Sequence, residues 1–282
     1  WSGQPVSWVS GAEGVYAVLA RIALLTALLI VLISVPPFLG IGWQNAFTNM
    51  LIASLFAMAF NLLVGQAGLL SFGHAAFFGV GAFATLHLMG AIEDRIISFP
   101  TPLLPLAGAA AGFLVGAFAG YFATMRSGVY FALVTLAIAE LLHSLAPHWD
   151  GLFGGEAGLS SMRMPWAGLT FGSPLQVYYL ALCWTVVSIL LLWAYTRTAF
   201  GRLTLALRDN EQRLRFMGYN AHTTKVIIFS ISAMFSGIAG ALLAVSNETA
   251  NYSLFSTHVS AQVVLHTFVG GSTVFFGPAV GA

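Results

Sequence analysis

The strongest constraint on this chain is a series of long apolar blocks without a charged residue, such as 24–35 and 226–245. Asp, Glu, Lys and Arg make up 7% of its 282 residues, whereas a soluble domain carries about 25%. So few charges cannot cover a soluble globule, and a hydrophobic content of 59% excludes a disordered chain. The sequence therefore predicts an integral membrane protein.

The blocks predict helices, because the strands of a membrane barrel would alternate apolar and polar residues over about ten positions. A helix crosses a bilayer in about 20 residues. We predict an all-α, polytopic membrane helix bundle, a single domain over 1–282 with a broken helix near 65–75. Because residue 282 lies inside an apolar run, we expect further sequence at the C-terminus. The eight predicted spans are 17–37, 44–64, 72–91, 101–124, 128–146, 175–196, 223–246 and 258–282.

Basic residues gather in one loop, and this predicts the orientation of the chain. Six of the ten Lys and Arg residues lie between 197 and 225, and the positive-inside rule places that loop in the cytoplasm. With eight spans, the N-terminus is then cytoplasmic as well. A net charge of +1 without a dense basic patch excludes a nucleic-acid partner and leaves membrane lipid as the surroundings.

The loop 197–222 predicts a short amphipathic helix that ends near Gly218. Its apolar positions recur at helical spacing, and three polar residues follow one another between them. Such a helix suits docking onto a soluble partner, but a membrane-surface loop that carries topology charges has the same pattern. The apolar positions are Leu203, Leu207, Leu214 and Met217, and the polar ones are Asp209, Asn210 and Glu211.

Glycine has two roles in the prediction. Glycines 108, 112 and 116 follow the four-residue spacing that lets membrane helices approach closely. The glycine-rich segment 65–75 is poor material for a lipid-facing helix, and transporters use such breaks along their pathways. A tight cytoplasmic turn is the alternative. The candidate pathway or gate residues here are Gly65, Gln66, Gly68, Ser71 and His74.

Glu140 is the single acidic residue well inside an apolar span, and His143 follows on the same helical face. Ionisable groups in such positions usually face the bundle interior or a cavity. The two residues could line the pathway, form a proton relay, or pair near the outer surface. No metal site is predicted, because no other span supplies the further carboxylates that one would need.

The sequence lacks the motifs of the common hydrolases. No zinc-protease motif, nucleophile elbow or phosphate-binding loop is present. A lone cysteine, Cys183, excludes a disulfide framework. We therefore predict that the chain is not an enzyme and that ATP-driven work would need another subunit.

Five segments together carry a resemblance to a known family. They are 61–75, 133–140, 154–159, 206–220 and 270–278. In this order they resemble the permease subunits of bacterial ABC importers for branched-chain amino acids (leucine, isoleucine and valine). His143 departs from that family, which often has arginine there. The resemblance implies a translocation subunit in a bacterial inner membrane, coupled to a separate ATPase through the loop 197–222.

The resemblance also implies partners and roles. The partners would be ATP-binding cassette subunits, a second homologous permease subunit and a periplasmic substrate-binding protein. No cofactor would bind this chain, and ATP and Mg would bind the partner subunits. The implied ATPase-coupling residues are Arg208, Asp209, Asn210, Glu211 and Gly218, and the implied binding-protein contacts are Gly154, Gly155 and Glu156.

Three alternatives stay open at this point. The first is an ABC permease for urea, an amide or another small solute, since the family includes such members. The second is a proton-coupled secondary transporter that uses Glu140 and His143. The third is a passive channel, which the docking-like loop argues against.

Overall fold

The structure, a computed structural model, describes residues 26–27, 29–166, 168 and 170–282. Its α-helices are α1 (Ile41–Asn61), α2 (His74–Glu93), α3 (Pro105–Ala123), α4 (Val129–Leu145), α5 (Pro174–Arg197), α6 (Ala199–Asp209), α7 (Glu211–Phe216), α8 (Ala221–Asn247), α9 (Thr257–Gly270) and α10 (Gly277–Gly281). A short apolar helix, Leu29–Phe38, precedes α1. One helical turn, Asp150–Phe153, follows α4. Strands β1 (Leu159–Ser160) and β2 (Thr249–Ala250) form the sheet of the described chain and are antiparallel.

Six helices of the described chain are long and apolar enough to cross a membrane. They are Ile41–Gln66, His74–Glu93, Thr101–Ala123, Val129–His148, Pro174–Arg197 and Ala221–Asn247. They confirm the predicted polytopic helix bundle but not the predicted count of eight spans. Ten of the 21 residues of the predicted span 17–37 lie outside the described residues.

The predicted span 258–282 is wrong as a continuous helix. It is divided into α9 and α10, which pack against each other. Gly270 and Gly277 approach so closely that neither has room for a Cβ atom, and Gly271 has a φ of +92° that glycine adopts without steric cost. The chain therefore reverses at this glycine cluster, which its apolar composition conceals.

The central helix of the bundle is α8, which packs mainly against α3 and α2. A Cβ atom added to Gly112 of α3 would lie 2.5 Å from the carbonyl oxygen of Ala233 on α8. Gly108 and Gly116 also face α8 without room for a side chain. The predicted close packing through glycines at four-residue spacing is confirmed, and it brings two backbones into direct contact.

The helices run between two ends of the bundle. We call one the basic end, which holds 62–73, 124–128 and 197–222. The other, the opposite end, holds 94–104, 146–173 and 248–256. Helices α2, α4 and α8 start at or near the basic end and run toward the opposite end, while α3 and α5 run the other way.

The break near 65–75 is confirmed, and it lies against protein. Helix α1 continues as a π-helical turn, Leu62–Gln66, and the chain is then non-helical until α2 begins at His74. π-Helical turns are rare in proteins, and those that occur are often found at functional sites. Gly68 adopts a φ of +67°, which permits the chain to turn within the break, just after the π-helical turn.

Candidate functional site

The predicted amphipathic helix of the loop 197–222 is two helices, α6 and α7. Asn210 separates them, because its backbone is extended with a φ of −162°. Its Oδ1 atom accepts a hydrogen bond of 3.0 Å from the N–H of Arg213 and so caps α7. Leu207 and Leu214 are buried beneath the two helices, as their spacing predicts. Asn210 therefore shapes the loop from within.

Arg208 joins this loop to the broken helix. Its Nη1 atom donates a hydrogen bond of 2.5 Å to the carbonyl oxygen of Gly65. A carbonyl at a helix C-terminus lacks a partner within the helix, and a cation there is also favoured by the helix dipole. The aliphatic part of the Arg208 side chain covers Gly68. A Cβ atom added to Gly68 would lie 3.0 Å from the Cγ atom of Arg208. Two segments that the sequence marked separately are thus in direct contact.

Glu211 joins the loop to the central helix. Its Oε2 atom accepts hydrogen bonds from Lys225 Nζ at 2.6 Å and from Ser127 Oγ at 3.2 Å. Its Oε1 atom pairs with Arg215 Nη2 at 2.6 Å. The Lys225 side chain is only 4% exposed, so its charge requires this partner. Glu211 therefore connects α7 with α8 and with the turn between α3 and α4.

The environment of Glu211 lowers its pKa. Partial burial acts to raise the pKa, but hydrogen bonds from Lys225 and Arg215, together with their positive charges, outweigh it. The lowered pKa favours the ionised carboxylate, which is the partner of the buried ammonium group.

The outer side of the loop is partly apolar. Asp209 and Gly218 are exposed, and Gly218 adopts a φ of +86° after α7. Phe216 is 89% exposed, and Met217 and Tyr219 are exposed beside it. Met217 was expected on the buried face, but α7 ends before it and turns it outward. We call Asp209, Phe216, Met217 and Tyr219 the loop surface.

His74 is buried at the start of α2 and bonded through both ring nitrogens. Nε2 lies 2.9 Å from Ser232 Oγ on α8, and Nδ1 lies 3.0 Å from Ser71 Oγ. Ser232 Oγ donates in turn to the carbonyl oxygen of Ala59 at 2.7 Å. This buried polar chain connects α1, α2 and α8 at the break, so His74 and Ser71 hold the break in place.

The tip of the break contacts the reversal between α9 and α10. A Cβ atom on Gly65 would lie 2.6 Å from the carbonyl oxygen of Ser272 and equally close to Asn61 Oδ1. Asn61 Oδ1 is buried and has no hydrogen-bond partner among the described residues. Gln66 is half-buried. Sequence reasoning missed Asn61, although an amide at the end of an apolar span was a usable signal.

Glu140 and His143 do not pair with each other in the structure. Glu140 Oε1 accepts a hydrogen bond from Thr257 Oγ1 of α9. His143 Nδ1 lies 3.2 Å from the carbonyl oxygen of Tyr252. The interpretation as a mutual pair is therefore wrong, because each side chain reaches a different residue of the segment that follows β2.

The predicted binding-protein contacts lie at the opposite end. Gly154 and Gly155 have φ values of +71° and +64° and form a turn after Asp150–Phe153. Glu156 is exposed on this turn. Nearby, a cavity of about 550 Å³ lies between the 157–160 segment and the end of α8. The two glycines thus shape the turn, and the Glu156 side chain is exposed on it.

Lys225 was not predicted as a site residue. It is the single lysine of the sequence and stands four residues into an apolar span. A lone cation in that position was the available signal, because a buried charge needs a partner.

Comparison with known proteins finds similarity to permease components of transport systems. The family model for the permease component of branched-chain amino acid transport systems matches residues 43–282. The permease protein LivM of a high-affinity branched-chain amino acid transport system is 31% identical in Escherichia coli and 30% identical in Salmonella typhimurium. Each alignment covers 88% of this chain and 63% of the relative. The L-arabinose permease AraH of Escherichia coli is 32% identical over 49% of this chain and 41% of its own length.

No solved structure matches the chain. The chain spans less than two thirds of the length of the LivM proteins. The family model nevertheless covers the whole region from α1 to α10, including the break and the loop between α5 and α8. The chain therefore belongs to the family of permease components of branched-chain amino acid transport systems.

Proposed function

We propose that this chain is the translocation subunit of an ATP-driven importer for branched-chain or related amino acids. The observation that carries the proposal is the two-sided loop of α6 and α7. Arg208 and Glu211 point inward to α1 and α8, while Phe216 projects outward at 89% exposure. Together with the exposed Met217 and Tyr219, it forms an apolar patch beside charged residues, which is typical of a protein contact.

The coupling mechanism follows from the two inward bonds. Closure of an ATPase on the loop surface would displace α6 and α7. Arg208 would carry the displacement to Gly65 in the break, and Glu211 would carry it to Lys225 on the central helix. The bundle would then switch between outward-open and inward-open states by rigid movement of packed helices.

Partners and orientation complete the proposal. The chain would work with ATP-binding cassette subunits that hold ATP and Mg, a second homologous permease and a periplasmic binding protein. The positive-inside rule supports a cytoplasmic basic end. The predicted span 17–37 would then bring the N-terminus to the cytoplasm as well. The opposite end, with Glu156 and the cavity beside the 157–160 segment, would then face the periplasm and receive the solute.

The substrate follows from the relatives alone, so amides and other small solutes stay as alternatives within the same mechanism. A proton-driven transporter is less well supported, because Glu140 and His143 form no mutual contact.

The direct test is uptake in vesicles. The chain, its second permease, the ATPase and the binding protein are reconstituted together, and labelled leucine is added outside with the binding protein. We expect accumulation that requires ATP inside the vesicles. Uptake driven by a pH gradient in the absence of the ATPase would overturn the proposal.

A second test addresses the loop surface. Phe216→Ala should reduce co-purification with the ATPase, because an exposed aromatic ring at an interface is a common hot spot. Phe38→Ala is the matched control. Phe38 is also 89% exposed, but it lies just before the start of α1, at the end of that helix away from the loop surface. Equal ATPase binding by both variants would contradict the docking role.

A further inference from the structure

Two adjacent helices form a bundle surface that differs from the rest. Helices α4 and α9 are in contact, and Glu140 on α4 bonds to Thr257 on α9. Of the six candidate spans, Val129–His148 is the least buried. Only 28% of its 18-residue apolar stretch is buried within the chain. Much of the α4 surface is therefore not covered by the described part of this chain.

Polar groups lie on that surface at membrane depth. Glu140 is half-exposed and lies near the middle of the span Val129–His148. Thr257, His258 and Gln262 are exposed on α9. Within the described chain, the one hydrogen bond to the Glu140 carboxylate comes from Thr257. We call these four residues the polar face.

Lipid is an unsuitable neighbour for the polar face. A carboxylate within a span is costly in hydrocarbon and is normally found facing a bundle interior or a water-filled cavity. Helix α3 provides the contrast, because its large exposed side chains between 106 and 118 are all apolar. They are Leu106, Phe113, Leu114 and Phe118. The α3 surface suits lipid, and the polar face suits water.

We propose that the polar face lines the water-filled translocation pathway and that Glu140 binds the protonated amine of the transported solute. A carboxylate and an ammonium group form a charge-assisted hydrogen bond. Leu141 and Leu265 are exposed on the same two helices and offer apolar surface to an aliphatic side chain. The site thus fits an amino acid with an apolar side chain. This inference rests on the proposed function.

The single cysteine of the chain makes the face testable by thiol labelling. In a Cys183→Ser background, His258→Cys and Gln262→Cys probe the polar face, and Leu114→Cys and Phe118→Cys are lipid-facing controls. The assembled importer is treated with a cationic, membrane-impermeant methanethiosulfonate. The polar-face cysteines should react at least about tenfold faster than the controls, because only a hydrated thiolate is reactive.

Glu140→Gln tests the charge, since it keeps the shape of the side chain. In the Gln262→Cys protein, a cationic reagent and an anionic reagent are compared. The fixed negative charge of Glu140 concentrates cations locally. Glu140→Gln should therefore lower the ratio of the cationic to the anionic labelling rate about threefold or more. Leucine delivered by the binding protein should slow labelling of Gln262→Cys when Glu140 is present.

The outcomes separate the two proposals. Labelling of Gln262→Cys as slow as that of Phe118→Cys would show that lipid or a second subunit covers the face, which overturns this inference. An unchanged reagent ratio in Glu140→Gln overturns the amine site. Either result can occur while ATP-dependent leucine uptake persists, and that uptake is what supports the proposed function.

Discussion

The central helix α8 is attached to a loop at each of its ends, and the two attachments differ. At the basic end, Lys225 pairs with Glu211 at 2.6 Å and is almost fully buried. At the opposite end, Glu248 follows α8 and pairs with Arg163 at 2.8 Å. Among the described residues, side chains alone bond the first loop to the bundle, whereas the second is also held by backbone pairing between β1 and β2.

The difference indicates which loop can transmit motion. Strand pairing and the bonds from Ser161 Oγ and the Met162 N–H to Glu93 fix the opposite loop to α2 and α8 together. The basic loop has two compact helices and few inward bonds, so under the proposed coupling it would shift as a unit. Its displacement would act on α1 and α8 through Arg208 and Lys225.

The largest expected effect comes from Lys225→Met. This substitution leaves the Glu211 carboxylate without its buried partner. We expect the free energy of unfolding to fall by about 2 kcal/mol. The loss is smaller than that for a fully buried pair, because Glu211 still contacts water. The measurement is denaturant unfolding of the purified chain in detergent, with leucine uptake in vesicles as the second readout.

Glu211→Gln in the same protein is the matched control. The double variant leaves no buried charge without a partner, because Arg215, which also pairs with Glu211, is largely exposed. It should therefore regain part of the lost stability. If Lys225→Met alone were as stable as the native chain, the pair would not hold the loop to α8.

The next effect is that of Arg208→Ala on coupling. The substitution removes a charge-assisted hydrogen bond to Gly65, which is worth about 1.5 kcal/mol. A loss of that free energy from the transport step should reduce uptake about tenfold. ATP hydrolysis by the assembled complex should continue, so that more ATP is consumed per solute transported. Both quantities are measured in the same vesicles.

Arg202→Ala provides the comparison for this arginine. Arg202 lies in α6 with an exposed side chain that makes no hydrogen bond or ion pair with the described chain. Arg208→Lys should restore part of the coupling, since an ammonium group can still reach a carbonyl oxygen. An equal loss in the Arg202 and Arg208 variants would contradict the specific bond to Gly65.

A smaller effect is expected at the opposite end. Arg163→Met removes a partly exposed ion pair, and we expect about 1 kcal/mol of lost stability. The strand pairing remains, so uptake should change far less than in Lys225→Met. Unfolding and uptake of the two variants, measured side by side, test whether the ends of α8 have different roles.

The sequence predicted the parts of the site better than their connections. Glycine content and apolar periodicity revealed the break and the loop, because both are local signals. The bond between Arg208 and Gly65 joins residues 143 positions apart, and no local pattern encodes it. The division of 258–282 was hidden for a related reason, since contact between Gly270 and Gly277 depends on the reversal itself.

The smallest expected effect concerns pH and the basic end. Glu211 has a lowered pKa in the folded protein, against an ordinary value of 4.5. Its stabilising contribution is therefore complete above pH 4.5 and is lost as the pH falls below that value through the folded pKa. Thermal unfolding between pH 3 and 7 should show this loss in the native chain. Glu211→Gln should remove that component, and a profile unchanged by the substitution would show that Glu211 is not held ionised by Lys225.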